Sequence, residues 1–290
     1  MIDVATALAL GHRDRQEDAL AACLSEDGMC GLAVLSDGMG GHDDGDLASR
    51  TIVEATTRGF DLSGGGPEPT RARLLDVITE ANRALRDQID AGHGQAGMGG
   101  TVIVATILGD RLSWASIGDS ALYIFRGHRL LRLNEVHSLA AQIDMMAAQG
   151  AIDAETARTH PQRGCLTSAL VGGTINRIDC PEAPVALIPN DIVLLASDGL
   201  EALPMSDLRD LLERHGQATS QEIADALMAA VVGADHPCQD NTSVIVLRPM
   251  VAPAARPVTR PAVSPAPDLG ARWHGLREGL TAFLSGRSAL

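Results

Sequence analysis

Apolar residues along this chain recur in two rhythms. Short runs rich in β-branched side chains, GLAVLS (31–36), TVIVATIL (101–108), LSWASI (112–117), ALYIF (121–125), DIVLLAS (191–197) and TSVIVL (242–247), predict strands. Between them, GDLASRTIVEATTRGF (45–60), PTRARLLDVITEANRALRDQID (69–90), SLAAQIDMMAAQG (138–150) and SQEIADALMAAVVG (220–233) space their apolar positions by three and four, as one face of a helix requires. The elements do not alternate strictly as strand and helix. TVIVATIL and LSWASI are separated by a tight Gly-Asp turn, the mark of an antiparallel hairpin. The pattern therefore predicts an α+β sandwich rather than a doubly wound parallel sheet.

The rhythm breaks near the C-terminus. Six prolines interleaved with Ala, Val and Arg lie between Pro249 and Pro267, a composition that cannot build a core. A folded domain is expected over 1–248, an extended linker over 249–268, and a short basic amphipathic tail over 269–290. In that tail Trp273, Leu276, Leu280, Phe283 and Leu284 fall at helical spacing, weakened by Gly275 and Gly279. Such a tail is expected to be either inert or a docking segment for a partner, for the domain, or for an anionic membrane surface.

At 290 residues and 45% hydrophobic, the chain can bury a sizeable core. No apolar run approaches the roughly 18–20 residues of a membrane span, and the N-terminal stretch lacks a basic leader, so a cytoplasmic location is expected. The five cysteines are scattered without CxxC spacing, which argues against a disulfide framework or a zinc site and predicts mostly buried thiols. Net charge is −14, and every Lys/Arg position is arginine. The absence of lysine excludes a phosphate-loop lysine, a kinase-type lysine and a Schiff-base lysine. Residues 249–290 hold five arginines against Asp268 and Glu278, a balance of +3 that leaves −17 on residues 1–248. An acidic domain is a poor nucleic-acid binder.

Acidic residues gather at the margins of the strands. VLSDGM (34–39) is echoed by LASDGL (195–200), ASIGDS delivers Asp119, Asp240 precedes TSVIVL, and RDRQEDA places Arg13, Glu17 and Asp18 before another apolar run. Each piece alone has an ordinary reading: an Asp-Gly after a strand is most often a turn, a Glu-Asp pair is usually solvated, and DDGD lacks the rest of a calcium loop. Jointly they suggest a carboxylate cluster, which is tolerated mainly where cations neutralise it, and oxygen ligands select Mg²⁺ or Mn²⁺. Two such ions and a nearby arginine suit phosphoryl transfer.

The ordered set RDRQEDA, LSDGMGGHDDGDLAS, MGGTVIVATI, ASIGDSALYIFR, EVHSLA, HPQRGCLTSALVGG, LLASDGL and QDNTSVIV resembles the metal-dependent protein phosphatases, the type 2C serine/threonine phosphatases, in their compact bacterial form, over about residues 3–247. The resemblance implies a central sandwich of two mainly antiparallel sheets flanked by helix pairs. It implies hydrolysis of phosphoserine and phosphothreonine by a hydroxide bridging two Mg²⁺ or Mn²⁺ ions. Asp37 would bridge the ions, Asp198 and Asp240 would complete one site, and the Gly38 carbonyl with water held by Glu17 the other. Asp119, with Asp198, would hold a third ion; Arg13 would bind phosphate, and Asp18 would support the cluster. A flap beside the site is expected between His137 and Gly172.

This chain departs from the common pattern at Gln16, Ala121, Val136 and Ser168, and has Met39 where eukaryotic relatives often carry a histidine acid; His42 is then a candidate acid. The expected partners are phosphorylated proteins, opposing a serine/threonine kinase. The rivals are a non-catalytic phosphoprotein-binding regulator, which loss of a metal aspartate would favour, and a phosphatase dedicated to an anti-sigma-factor antagonist.

Overall fold

In the computed structural model of the chain, which describes residues 1–40, 44–60 and 71–249, the two rhythms resolve into two sheets and two helical layers. The strands are β1 (Ile2–Ala9), β2 (Asp18–Leu24), β3 (Cys30–Met39), β4 (Gly99–Gly100), β5 (Val102–Leu108), β6 (Arg111–Ile117), β7 (Ala121–Arg126), β8 (Arg129–Arg132), β9 (Val185–Ala186), β10 (Ile192–Ala196) and β11 (Thr242–Pro249). One sheet runs β1-β11-β10-β7-β8 and the other β2-β3-β5-β6-β9, with β4 added on β3. All of these pairings are antiparallel. The hairpin expected at Gly-Asp is present: Leu108 pairs with Arg111 across Gly109 and Asp110.

The helices are α1 (Asp44–Arg58), α2 (Arg71–Asp90), α3 (Ala140–Ala148), α4 (Ala154–Arg158), α5 (Met205–Arg214) and α6 (Ser220–Gly233). Strand residues of alternate parity feed different cores. Ala33, Leu35, Ile103, Ala105, Leu195 and Ile245 face the space between the sheets, with Trp114 buried among them. Leu32, Val34, Val102 and Val104 face outward against Leu74, Ile78 and Leu85 of α2 and Ile52 of α1. Leu194, Val244 and Val246 face the other way, against Leu208 and Leu212 of α5 and Ile223 and Leu227 of α6. The central strands are buried on both faces, so they read as continuous apolar runs, and the expected helix-sheet-sheet-helix layering is observed.

Several elements went unread in the sequence. β1 and β2 have weak apolar runs because their outer positions are partly exposed, and α5 carries its three buried leucines, Leu208, Leu211 and Leu212, in a segment otherwise crowded with charge. The cysteines correct an expectation: only Cys180 is buried, Cys23 and Cys30 are half-buried, and Cys165 and Cys238 are exposed because they sit in loops. No disulfide joins them. Among the described residues no helix is long and apolar enough to cross a membrane. The expected linker beyond Pro249 and the tail at 269–290 lie outside the described residues.

Candidate functional site

The acidic residues singled out by the sequence arrive at one end of the sandwich from separate connections. Asp37 is near the end of β3, directly opposite Asp18 at the start of β2. Its backbone is fixed on the other side, since Thr101 N–H donates to the Asp37 carbonyl (2.9 Å) and Asp37 N–H donates to Thr101 Oγ1 (3.0 Å). Asp198 follows β10 as the first residue of a 3₁₀ turn, Asp198–Ala202. Asp119 lies in the β6–β7 turn, Asp240 just before β11, and Arg13 and Glu17 in the β1–β2 connection.

The glycines of the two Ser-Asp-Gly repeats are needed for close approach. A Cβ on Gly38 would strike the carbonyl oxygens of Gly45 and Glu17, and one on Gly199 the carbonyl oxygen of Asn241. The first α1 turn is thereby allowed to sit on β3, with Gly45 against the Glu17 carboxyl.

Beneath the site, Asp18 joins the two sheets. Its Oδ2 accepts from Ser197 Oγ (2.8 Å) and from Ser243 Oγ (2.6 Å), and the residue is 6% exposed. Ser243 N–H donates to Ser197 Oγ (2.9 Å), closing the network. Asn241 organises the neighbouring connection: its Nδ2 donates to the carbonyls of Leu10 and Arg15, and its Oδ1 accepts from Glu17 N–H (2.7 Å). Gln16 donates to the Ala9 carbonyl and accepts from Asp18 N–H, so this departure from the common pattern retains an anchoring role.

Like charge and burial act together here. Burial, and after it Asp198 and Asp18, hold the Asp37 carboxyl well above the usual carboxylate range. Asp198 is pushed up to about 7 by burial and then by Asp119 and Asp240. Asp119 rises to about 6, mainly by burial, with Glu201 adding to the rise. Burial also raises Asp18, opposed by its two serine hydrogen bonds, and raises Glu17, opposed by Arg13.

This is an oxygen-only donor set short of positive charge, the chemistry that suits a hard divalent cation. Among the described residues, no three His, Cys, Asp or Glu side chains converge tightly enough to enclose one ion by themselves. A cation at this site would draw further oxygens from carbonyls such as that of Gly38, and from water. Arg13 Nη2 donates to Asp240 Oδ2 (2.5 Å), while Asp240 Oδ1 accepts from Asn241 N–H (2.8 Å). In a carboxylate-rich corner the nearest guanidinium becomes the counter-ion, and the other N–H groups of Arg13 carry no hydrogen bond among the described residues. His42 lies outside the described residues.

Asp37, Asp119 and Asp198 open onto a cavity of about 530 Å³, whose remaining wall includes Met39, Thr101 and the segment Gly164–Ala169. The expected flap contains α3 and α4, closes on itself through an isolated pairing of Ser138 with Leu166, and joins the body through that of Gly100 with Leu170. His137 is buried at its base, where Nδ1 accepts from Gly118 N–H (3.3 Å). Ser168 faces inward, bonded to both backbone groups of Arg177. The sequence reading missed Thr101, Ser197, Ser243 and Asn241 as organisers of the site and Glu201 as a further carboxylate beside Asp119 and Asp198. Four of these lie inside the quoted motifs, where short polar residues at strand ends are the available signal.

A family model described as protein phosphatase 2C matches residues 10–233. The chain is 30% identical over 243 residues to the serine/threonine protein phosphatase PstP of Mycobacterium tuberculosis, covering 82% of this chain and 45% of PstP. It thus spans about half the length of that relative. It is 27% identical to the serine/threonine phosphatase stp of Listeria monocytogenes, over 74% of this chain and 83% of stp. A solved catalytic domain of PstP in complex with two manganese ions superposes with a TM-score of 0.67 at 25% identity, covering 86% of this chain and 99% of that one.

Proposed function

The chain belongs to the protein phosphatase 2C family, and from that premise we propose that it hydrolyses phosphoserine and phosphothreonine in proteins with Mg²⁺ or Mn²⁺ as cofactor. The observation that carries this reading is the convergence of aspartates from separate strand ends: Asp37, Asp119 and Asp198 line a single cavity, and Asp240 beside them adds to the raised proton affinity of Asp37 and Asp198. The manganese ions of the PstP catalytic domain support the same choice of metal.

In this reading Asp37, Asp198 and Asp240, with the Gly38 carbonyl and Glu17 acting through water, would hold the two core ions. Asp119 and Asp198 offer a third, weaker position. When bound, such ions polarise water and phosphoryl oxygens for in-line displacement. Asp18 holds Ser197 and Ser243, and so fixes the two strand ends from which Asp198 and Asp240 project. Arg13 sits at the rim, with donors left for a phosphate oxygen. The uncharged wall from Met39 to Ala169 receives the substrate segment. His42 is retained as a candidate acid for the leaving oxygen, tested by whether His42→Ala changes the pH profile of turnover.

Residues 1–248 form the catalytic unit, with 249–268 a linker and 269–290 a basic segment available to a partner or an anionic membrane. The substrates are proteins phosphorylated by an opposing serine/threonine kinase, and the place of action is the cytoplasm. Release of phosphate from a phosphothreonine peptide, with and without Mn²⁺ and with excess chelator, tests the reading. Full turnover in chelator, or none with Mn²⁺, would sink it.

A further inference from the structure

A second cavity, of about 570 Å³, lies on the other side of Asp119 and Asp198, which line both. Among the described residues, the charged ones lining the first are those two and Asp37, with no basic residue beside them. Arg132, Arg158 and Arg163 line the second, from β8, from the end of α4 and from the connection after it, facing the carboxylates of Asp119, Asp198 and Glu201. In a chain of net charge −14, three guanidinium groups converging beside the proposed reaction site stand against the background.

The three are held differently. Arg132 is fixed: its guanidinium donates to the carbonyls of Asp119 and Ser120 and to Asn134 Oδ1, and lies 6.0 Å from the Tyr123 ring centroid. Arg163 makes a two-pronged pair with Asp144 (2.6 and 3.0 Å). Among the described residues Arg158 pairs only with Glu155, one turn earlier on α4, and both side chains are largely exposed. An exposed pair of this kind is weak and readily exchanged for a better anion. Each guanidinium has five N–H groups, and Arg158 Nε and Nη1 carry no hydrogen bond among the described residues. Leu200, Leu203 and Leu208 supply an apolar floor, which strengthens a charge-assisted hydrogen bond made above it.

We propose that this cavity is a second anion subsite, which takes a phosphate or carboxylate carried by the same substrate peptide as the phosphoryl group being hydrolysed. The inference rests on the phosphatase reading, and makes the protein selective for segments that are multiply phosphorylated or flanked by acidic residues. Arg132 supplies a preset donor, and Arg158 and Arg163 close on the anion from the flap side.

The test compares phosphothreonine peptides that are identical except for one position, occupied by Ala, Glu or a second phosphothreonine at several spacings on either side. Turnover and binding are both measured on the full chain with Mn²⁺. The second anion at the matching spacing is expected to raise kcat/KM about tenfold through KM, with phosphate above carboxylate. Arg158→Ala is expected to bring that ratio towards one, and Arg158→Glu below it, which no merely structural role of an exposed side chain would do. Arg163→Ala should act like Arg158→Ala, with circular dichroism reporting whether the flap region is retained. Equal kcat/KM for all peptides overturns the subsite, as does an advantage that survives Arg158→Glu. Failure of the unmodified protein to turn over even p-nitrophenyl phosphate would instead refute the phosphatase reading; the binding ratio between peptides then decides the subsite alone.

Discussion

Asp37 and Asp198 occupy the same place in two copies of Ser-Asp-Gly, and in both the serine is a buried anchor while the aspartate is presented at the edge. Ser36 Oγ donates to the Thr101 carbonyl (2.7 Å), as Ser197 Oγ does to Asp18. Replacing Asp37 or Asp198 with Asn keeps the shape and removes the charge, so metal-dependent turnover should fall by at least about a hundredfold, read by phosphate release. Asp18 tests a different cause. Asp18→Ala leaves the Ser197 and Ser243 hydroxyls without their acceptor in a buried site, at a cost of about 1–3 kcal/mol by urea denaturation. Turnover should fall about 10–100-fold, as for loss of a group that orients ligands. Asp18→Asn keeps an acceptor oxygen and removes a buried charge, so it should recover most of the stability.

At the scale of elements, the α1–β3 contact is the most exacting. Gly38→Ala forces a methyl group into the carbonyls of Gly45 and Glu17, and should destabilise by about 1–3 kcal/mol while displacing Glu17 from the cluster. Loss of Mn²⁺ affinity by titration, beyond the loss of stability, would mark the displacement. Helix α6 offers the contrasting case. Thr219 and Glu222 form a reciprocal capping box at its N-terminus, far from the aspartates. Thr219→Ala should therefore cost about 1 kcal/mol in urea denaturation and leave kcat/KM unchanged. The same box shows what was legible locally: the helix at 220–233 was read with both ends correct, because cap and apolar period agree. Helix α4 was not read, having five residues and one buried position, Ala157.

For the whole molecule, the carboxylate cluster sets the pH response. Asp198 (about 7) and Asp119 (about 6) bind protons more tightly folded than unfolded, as does Asp37. Between about pH 7 and the ordinary carboxylate range near 4, the folded state therefore holds more protons, so stability in chelator should rise as pH falls through that window. Saturating Mn²⁺ should abolish or invert the slope, since the cation competes with protons for the same oxygens and binds only the folded state. Thermal melts at pH 5, 6 and 7, with chelator or Mn²⁺, check both signs; a metal-free melt that falls steadily from pH 7 to 5 would contradict the cluster.

The sequence by itself determined the class of fold and the chemistry of the site. Continuous β-branched runs specify strands buried on both faces, and long amphipathic periods specify the covering helices, so an α+β sandwich follows from local pattern, while the four-layer arrangement was implied by the family resemblance. The repeated Ser-Asp-Gly and the acidic strand margins likewise named Asp37, Asp119, Asp198 and Asp240 before any coordinates. What only the tertiary structure decided is who neighbours whom across more than a hundred residues. Asp18 is tied to Ser197 and Ser243, Glu17 N–H is met by Asn241, and Arg13 is claimed by Asp240; at shorter separation, three arginines from the flap and β8 share a wall with Asp119. No local period encodes those meetings, because they are set by how two sheets pack face to face and bring their loops to one end.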